Sequence, residues 1–326
     1  MSTDLKPPDA PAPSVRGSSV RLGDRIFTNL TRGAGVFVLV IMASIGAFLV
    51  WKAIPAFQNN TGNFFTTQEW FPDADPPVFG IAALAFGTAI SSVIAMIIAV
   101  PVAIGTALFI AFFASRRAST SLGFVIDVLA AVPSIIYGLW GLQVLMNHME
   151  GITKWLNDYL GFIPLFNNEI GIYTKSIFIA SVVLAIMILP TISALSREVF
   201  IQVPRDHREA SLALGATRWE MIRMAVLPFG RPGIISATML GLGRALGETI
   251  AVALILSAAF ETNWHITEPG GNTFAANIAL KWNEAGPIGL SALIASGLIL
   301  FIITLVVNMI ARAIIAKHKE FSGANS

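Results

Sequence analysis

The chain has 326 residues, of which 55% are hydrophobic and only 12% are charged. A soluble domain of this length cannot bury so much apolar surface in one core, so the composition excludes a soluble globular protein and indicates a membrane protein. The net charge of +2 gives no support to nucleic-acid binding, the absence of cysteine excludes disulfides and cysteine-ligated metal sites, and the four scattered histidines form no metal-ligand cluster.

Long apolar runs predict the membrane-spanning helices. Each run has about 20 residues or more, the length that crosses a hydrocarbon core of about 30 Å. We therefore predict an all-α polytopic membrane protein with about six transmembrane helices. The runs are Ala34–Pro55, Phe79–Phe113, Leu122–Met146, Ser176–Leu195, Gly233–Ala259 and Gly289–Ile315.

The first 78 residues are predicted to hold a tail, one helix and one loop. Residues 1–24 are rich in Pro, Ser, Ala and Asp, which predicts a disordered cytoplasmic tail. Residues 25–78 are predicted to form the first transmembrane helix and an outer loop. The first apolar run is too long for a signal-peptide core and no small-residue cleavage pattern follows it, so we expect a retained helix.

The second and third runs each contain one unusual residue. The second run is longer than a bilayer requires and contains Pro101, which removes a helical hydrogen bond, so we expect a tilted or broken helix there. The third run contains Asp127 near its cytoplasmic end. Snorkelling or helix capping explains this acid more simply than a role in transport.

The distribution of Lys and Arg predicts the orientation of the chain. Most of the basic residues lie in the N-terminal tail, at Arg116 and Arg117, in the loop at 196–232 and at the C-terminal end. Because cytoplasmic loops retain positive charge, both termini are predicted to be cytoplasmic. The opposite loops contain several aromatic residues, which we interpret as membrane-interface anchors; the alternative is a docking surface for an external partner.

The loop at 196–232 contains a motif with defined spacing. Glu209, Ala210 and Ser211 are followed by Gly215 and, after a further stretch, by an apolar run that ends in Leu227 and Pro228. This order resembles the coupling motif of the permease subunits of ABC importers. The resemblance implies that Arg208–Trp219 inserts into a groove on an ATP-hydrolysing subunit; the alternative is an amphipathic loop at the membrane interface.

The chain contains no phosphate-binding loop of the form G-x-x-x-x-G-K-[ST]. We therefore expect a non-catalytic subunit without a cofactor of its own, with ATP and Mg bound by a partner ATPase subunit. The ABC permease transmembrane domain is predicted to cover residues 79–320.

The fifth run contains two charged residues, Arg244 and Glu248. Arg244 follows the cytoplasmic start of this run by roughly 16 Å of helix, near the bilayer midplane, where a charge must face a wet cavity or a partner. Residues four apart share a helix face, so we expect the two side chains to neutralise each other when no anion is bound. The alternative is a structural ion pair that holds helices together.

The two side chains together suit a protonated oxyanion. The guanidinium fork of Arg244 can donate two parallel hydrogen bonds to a tetrahedral anion. The carboxylate of Glu248 would repel sulfate but accept a hydrogen bond from phosphate, which retains a proton at neutral pH. We therefore predict that Arg244 and Glu248 lie on a phosphate translocation path.

Two segments sharpen the resemblance. The sequences G-R-A-L-G-E-T at Gly243–Thr249 and V-P-S-I-I-Y-G-L-W-G at Val132–Gly141 resemble the PstC family of phosphate ABC importer permeases. The resemblance implies a type I importer (MetI-like) fold in the cytoplasmic membrane. It also implies a heterodimer with a PstA-like permease, a PstB-like ATPase dimer and a PstS-like phosphate-binding protein.

Three other classes of protein remain as alternatives. A permease for sulfate, molybdate or phosphonate would share the coupling motif, and only the segment around Arg244 favours phosphate. A proton-coupled secondary anion transporter would also place charges in a span but would not require the coupling motif. A membrane-embedded enzyme has little support, because the sequence contains no catalytic motif.

Overall fold

The structure is a computed structural model that describes residues 22–319 of the chain. Most of the predicted tail, residues 1–21, lies outside the described residues. The first helix begins at Leu22, so the last three residues of the predicted tail, 22–24, are helical instead. The chain divides into two compact units, one ending at Phe48 and the other beginning at Leu49.

The described chain is mostly helical, with a two-stranded antiparallel sheet in the loop between the first two long helices. Three short π-helical segments, π1 to π3, interrupt the α-helices. The elements are α1 (Leu22–Asn59), β1 (Trp70–Phe71), β2 (Val78–Phe79), α2 (Ala82–Leu108), π1 (Phe109–Phe113), α3 (Arg116–Ala130), α4 (Ser134–Trp140), π2 (Gly141–Leu145), α5 (Met146–Leu160), α6 (Ile177–Ile201), α7 (Arg205–Ala213), α8 (Arg218–Met221), π3 (Ile222–Val226), α9 (Leu227–Leu246), α10 (Ile250–Ile255), α11 (Phe274–Lys281) and α12 (Pro287–Lys319).

Five helical stretches of the described chain are long and apolar enough to cross a membrane, and a bent pair of helices makes a sixth. The prediction of about six spans is therefore confirmed. The five stretches are Gly23–Asn59, Ala82–Phe113, Ile177–Ile201, Arg218–Leu246 and Pro287–Ala316, and the bent pair is Arg116–Ala130 with Ser134–Leu160.

The second span is not broken at Pro101, so of the two expected forms, tilted or broken, the broken one is wrong. The helix α2 continues through this proline to Leu108 and ends in π1. A stripe of fully buried alanines, Ala95, Ala99 and Ala103, allows α2 and α6 to pack closely, and this pair forms the largest helix contact of the fold. A proline inside a span leaves one backbone hydrogen bond unmade, and a closely packed neighbouring helix makes the span stable in spite of this loss.

The third span is broken where a continuous run was expected. The chain bends by 91° between α3 and the helices from Ser134 onward. Pro133 lies at the bend with an extended backbone, and a proline disfavours helix at the residue before it. The hydroxyl of Tyr137 donates a hydrogen bond of 2.8 Å to the carbonyl of Leu129, which ties the two sides of the bend together.

Asp127 forms an ion pair with Arg197, which differs from the expected snorkelling or helix capping. Arg197 of α6 lies 3.3 Å from the carboxylate of Asp127 and 3.0 Å from that of Glu198. The guanidinium occupies the space where a side chain at Gly123 would lie, since an added Cβ would be only 2.0 Å from Nη1. Asp127, Arg197 and Glu198 join α3 to the C-terminal end of α6.

Candidate anion site and coupling segment

Arg244 lies in the last turn of α9 and contacts α6. Its Nη1 donates a hydrogen bond of 3.0 Å to Oγ1 of Thr191. No carboxylate forms an ion pair with Arg244 within the described residues. A membrane-embedded guanidinium with one neutral hydrogen-bond partner retains free donors, so Arg244 is available to bind an anion.

Glu248 does not share a helix face with Arg244, and the expected mutual neutralisation is wrong. The helix α9 ends at Leu246, and α10 begins only at Ile250. Glu248 lies in this break, is 9% exposed, and accepts a hydrogen bond of 3.1 Å from the backbone N–H of Ala251. Its carboxylate therefore stabilises the start of α10, and among the described residues it forms no ion pair with Arg244.

The side chain of Arg244 lines a groove of about 640 Å³ between α6, α9 and α12. We call this feature the anion groove. No acidic side chain is among the described residues that line it. Its polar lining residues are Thr191, Ser236, Arg244, Asn308 and Arg312.

The segment Val132–Gly141 packs directly against the far side of the break. Gly138 of α4 meets α10 so closely that an added Cβ would lie 2.6 Å from Cα of Ala251. Ala251 is fully buried and is the residue whose N–H bonds to Glu248. The segment Val132–Gly141 is therefore in contact with α10, the helix that follows Gly243–Thr249, and Gly138 permits this close approach.

The predicted coupling helix, Arg208–Trp219, is divided between two helices. The helix α7 ends at Ala213, and Gly215 follows with a φ of +85°, a conformation that glycine adopts without strain. Thr217 then caps α8 and forms a reciprocal capping box with Glu220. Gly215 thus forms the turn that separates the two short helices.

The surface of this helix pair is free to bind a partner. Glu209 and Ala210 are exposed on α7, and Leu214 is 90% exposed at the turn. Leu227 and Pro228, the end of the motif, form the first turn of α9. Leu212 and Trp219 are exposed on the same helix pair, and several exposed apolar residues together are typical of a protein-binding surface.

Arg208 connects this helix pair to the membrane-spanning helices. Its guanidinium carbon lies 5.8 Å from the ring centre of Phe112 in π1, within the range of a cation–π interaction. Phe112 packs in turn against the fully buried Phe200 of α6, with ring centres 6.4 Å apart. A movement of α7 would therefore act on the ends of two spans.

The outer loops form a hydrogen-bonded junction around Glu268. Burial would raise the pKa of this carboxyl, but hydrogen bonds from the side chain of Asn263, the N–H of Glu169 and the ring of His265 outweigh it and hold the pKa below its ordinary value. The side chain of Asn168 bonds to the carbonyl of Thr267 in the same junction. These contacts join the loop before α6 to the loop before α11.

Residues 99–319 match the family described as binding-protein-dependent transport system inner membrane component. The chain belongs to this family. The match contains the coupling motif, Arg244 and Glu248. The fold class expected from the resemblance, an all-α polytopic membrane protein with the type I ABC importer (MetI-like) fold, is confirmed by the family match and the number of spans.

Several relatives in this family resemble the chain over almost their whole length. "Phosphate transport system permease protein PstC 2" of Mycobacterium tuberculosis is 46% identical over 299 residues, which cover 90% of this chain and 92% of the relative. "Phosphate transport system permease protein PstC" of Xylella fastidiosa strain Temecula1 is 39% identical over 329 residues and covers 99% and 100%. The resemblance to the PstC family is thereby confirmed.

Two solved chains of ABC importers also resemble the structure in part. One belongs to the inward-facing MetNI methionine ABC transporter, with a TM-score of 0.49, 18% identity and coverage of 73% of this chain and 94% of the other. The second belongs to a bacterial ABC transporter for the acidic polysaccharide alginate, with a TM-score of 0.48, 16% identity and coverage of 90% and 99%. The family assignment rests on the sequence matches.

Sequence reasoning missed four polar residues of the anion groove, namely Thr191, Ser236, Asn308 and Arg312. Thr191 lies in an apolar run beside Pro190, and no sequence signal distinguishes it from other hydroxyl side chains that bond to their own helix. From the sequence, Arg312 was counted with the basic residues at the cytoplasmic end of the last span. In the structure α12 continues to Lys319, and Arg312 lies inside this helix and lines the groove. The continuing helical spacing from Asn308 to Arg312 was the available signal.

Proposed function

We propose that this chain is a transmembrane permease subunit of an ATP-driven phosphate importer and forms, with a second permease, the path for inorganic phosphate across the cytoplasmic membrane. The observation that carries the proposal is the unpaired Arg244 in the anion groove. The names of relatives that are 39–46% identical support phosphate as the transported anion.

Arg244 binds the anion in the proposed mechanism. A guanidinium remains charged at any physiological pH and donates parallel hydrogen bonds to two oxygens of a tetrahedral anion. Thr191 holds one of its nitrogens at 3.0 Å and so orients the fork toward the groove. The groove contains no described acidic side chain that would repel the anion.

Glu248 acts on selectivity from the break between α9 and α10. Its carboxylate uses one oxygen to accept the N–H of Ala251, which leaves lone pairs on both oxygens for a further donor. A protonated phosphate supplies such a donor, whereas sulfate at neutral pH does not. Glu248 therefore favours phosphate over a fully ionised anion of the same shape.

The coupling segment transmits to the membrane-spanning helices the movement that ATP hydrolysis causes in a partner subunit. The hydrolysis itself takes place in that partner. A PstB-like ATPase dimer binds ATP and Mg and receives α7, α8 and the turn at Gly215. Arg208 then transmits the movement to Phe112 and Phe200 at the ends of α2 and α6. A PstA-like permease completes the path, a PstS-like protein delivers phosphate to the outer loops, and both termini are cytoplasmic.

The test is uptake of labelled phosphate by vesicles that contain the whole complex with its binding protein. We expect uptake that requires ATP and is displaced by excess unlabelled phosphate but not by sulfate. Uptake driven by a proton gradient without ATP would favour a secondary transporter. Displacement by sulfate or molybdate with the same efficiency would favour a permease for another oxyanion.

A further inference from the structure

We propose that Arg312 of α12 is a second phosphate-binding residue, which receives the anion from Arg244 on the cytoplasmic side of the anion groove, with Asn308 as a neutral donor beside it. The inference rests on the proposed function and extends it to two residues for which the motifs gave no role. In this proposal, two arginines of this subunit bind the anion one after the other, first Arg244 and then Arg312.

The first support is position. Arg244 on α9 and Arg312 on α12 line the same groove, and the two helices pack against each other. Asn308 precedes Arg312 by four residues, so both side chains lie on one face of α12. Arg312 precedes the cytoplasmic end of α12 by seven residues, or about 10 Å of helix, so it lies closer to the cytoplasm than a midplane residue does.

The second support is charge. Arg312 forms no ion pair with a carboxylate in the described part of the chain. Two guanidinium groups that line one groove repel each other unless an anion or solvent separates them. An oxyanion between them relieves this repulsion and accepts hydrogen bonds from both, which makes the groove a site for an anion with several oxygens.

Transported phosphate and the phosphate headgroup of a lipid share this chemistry. The neutral donor of the groove, Asn308, favours the transported anion, because a small ion in the groove can reach Arg244 on α9 and the polar side chains of α12 together. A lipid headgroup at the mouth of the groove would need only the arginine. The two sources make different predictions when the lipid is changed.

The first experiment measures ATP-driven phosphate uptake by the whole complex with Arg312→Gln, Arg312→Lys and the control Arg117→Gln, an exposed cytoplasmic arginine outside the groove. We expect Arg312→Gln to lose about tenfold in uptake rate, because a hydrogen bond to a charged group is lost. Arg312→Lys should keep an intermediate rate, and the control should match the wild type.

Two results of this experiment would overturn the inference alone. Wild-type uptake by Arg312→Gln in an intact complex would remove Arg312 from the path. Loss of the second permease from purified Arg312→Gln and Arg312→Lys complexes would assign the residue to assembly. Failure of the wild-type complex to take up phosphate would instead refute the proposed function, so the two failures are distinguishable.

The second experiment uses the absence of cysteine from the chain. Ser236→Cys introduces one thiol into the groove and leaves both arginines in place. In inside-out vesicles with the ATPase and the second permease present, inorganic phosphate should slow the reaction of this thiol with a membrane-impermeant methanethiosulfonate, measured against the complex without the added cysteine. The protection should disappear when Arg312→Gln is added and remain when Arg117→Gln is added.

The lipid source is tested on the same thiol. Vesicles of phosphatidylcholine alone and vesicles that also contain phosphatidylglycerol should show the same protection by phosphate. A labelling rate that follows the anionic lipid and does not respond to inorganic phosphate would assign the groove to a headgroup and overturn the inference. Protection of the Ser236→Cys thiol by phosphate that persists when Arg312→Gln is added would also overturn the inference.

Discussion

Arg244 donates its hydrogen bond to Thr191 of α6 and forms no ion pair with Glu248, although the two charged residues are only four positions apart. The break after Leu246 separates them, since the chain leaves the helical path at Gly247. One charge therefore faces the anion groove and the other stabilises the next helix. The break therefore separates two charged side chains that the sequence alone places on one helix face.

Thr191→Val should reduce phosphate uptake without loss of the complex. Valine has the shape of threonine but cannot accept the hydrogen bond from Arg244, so the guanidinium loses its orientation. We expect about a tenfold lower uptake rate, the usual cost of one hydrogen bond to a charged group. Thr238→Val is the matched control, because this hydroxyl bonds only to the carbonyl of Ile234. Equal effects of the two variants would contradict the role of Thr191.

Glu248→Gln should alter the choice of anion while it preserves the fold. The glutamine oxygen can still accept the N–H of Ala251, so the start of α10 remains capped. The amide no longer repels a fully ionised anion, and we expect sulfate to compete with labelled phosphate for uptake. Unchanged rate and selectivity would show that the carboxylate serves only the helix.

The sequence predicts the spans well and their interruptions poorly. Apolar runs reveal about six spans because hydrocarbon disfavours charge along most of the length of a span. The breaks at Pro133 and at Gly247–Thr249 lie inside such runs, so the apolar pattern continues across them. At Pro101 the error is the reverse. The proline indicated a break, but α2 packs against a neighbouring helix and continues through it.

The candidate site could be predicted from the sequence only for its charged residues. Arg244 is conspicuous because a charge in an apolar run is costly and must have a function or a partner. Its partner Thr191 is neutral and lies 53 positions away, and nothing local to either residue indicates their contact. The coupling motif was recognised by its spacing, but the positive φ of Gly215 is what divides it into two helices.

Gly138→Ala should destabilise the contact between α4 and α10. The added Cβ would lie 2.6 Å from Cα of Ala251, and a backbone atom cannot move aside as a flexible side chain can. We expect a loss of about 1–3 kcal/mol in the free energy of unfolding, measured by denaturation of the purified complex in detergent.

Gly151→Ala is the control for that substitution. This glycine lies inside α5 with nothing within 4 Å of an added Cβ, so alanine should be neutral or stabilise the helix by about 0.5–1 kcal/mol. Equal stability of the two variants would contradict the close approach of α4 and α10.

Gly215→Ala should weaken the association with the ATPase subunit. Alanine at a φ of +85° costs about 1–2 kcal/mol, and the turn between α7 and α8 would shift to relieve the strain. Gly215→Asn should be tolerated better, because asparagine enters this conformation more readily. Recovery of the ATPase with the purified permease measures the effect, and equal recovery of the two variants would show that the turn is not required in its present form.

The most direct test of the account compares wild type with Arg244→Gln in ATP-driven uptake of labelled phosphate, with recovery of every subunit measured in the same preparation. We predict that uptake is lost while the complex remains intact, because the anion loses its charged partner in the groove. Normal uptake, or a loss that is explained entirely by failed assembly, would contradict the account and return Arg244 to a structural role.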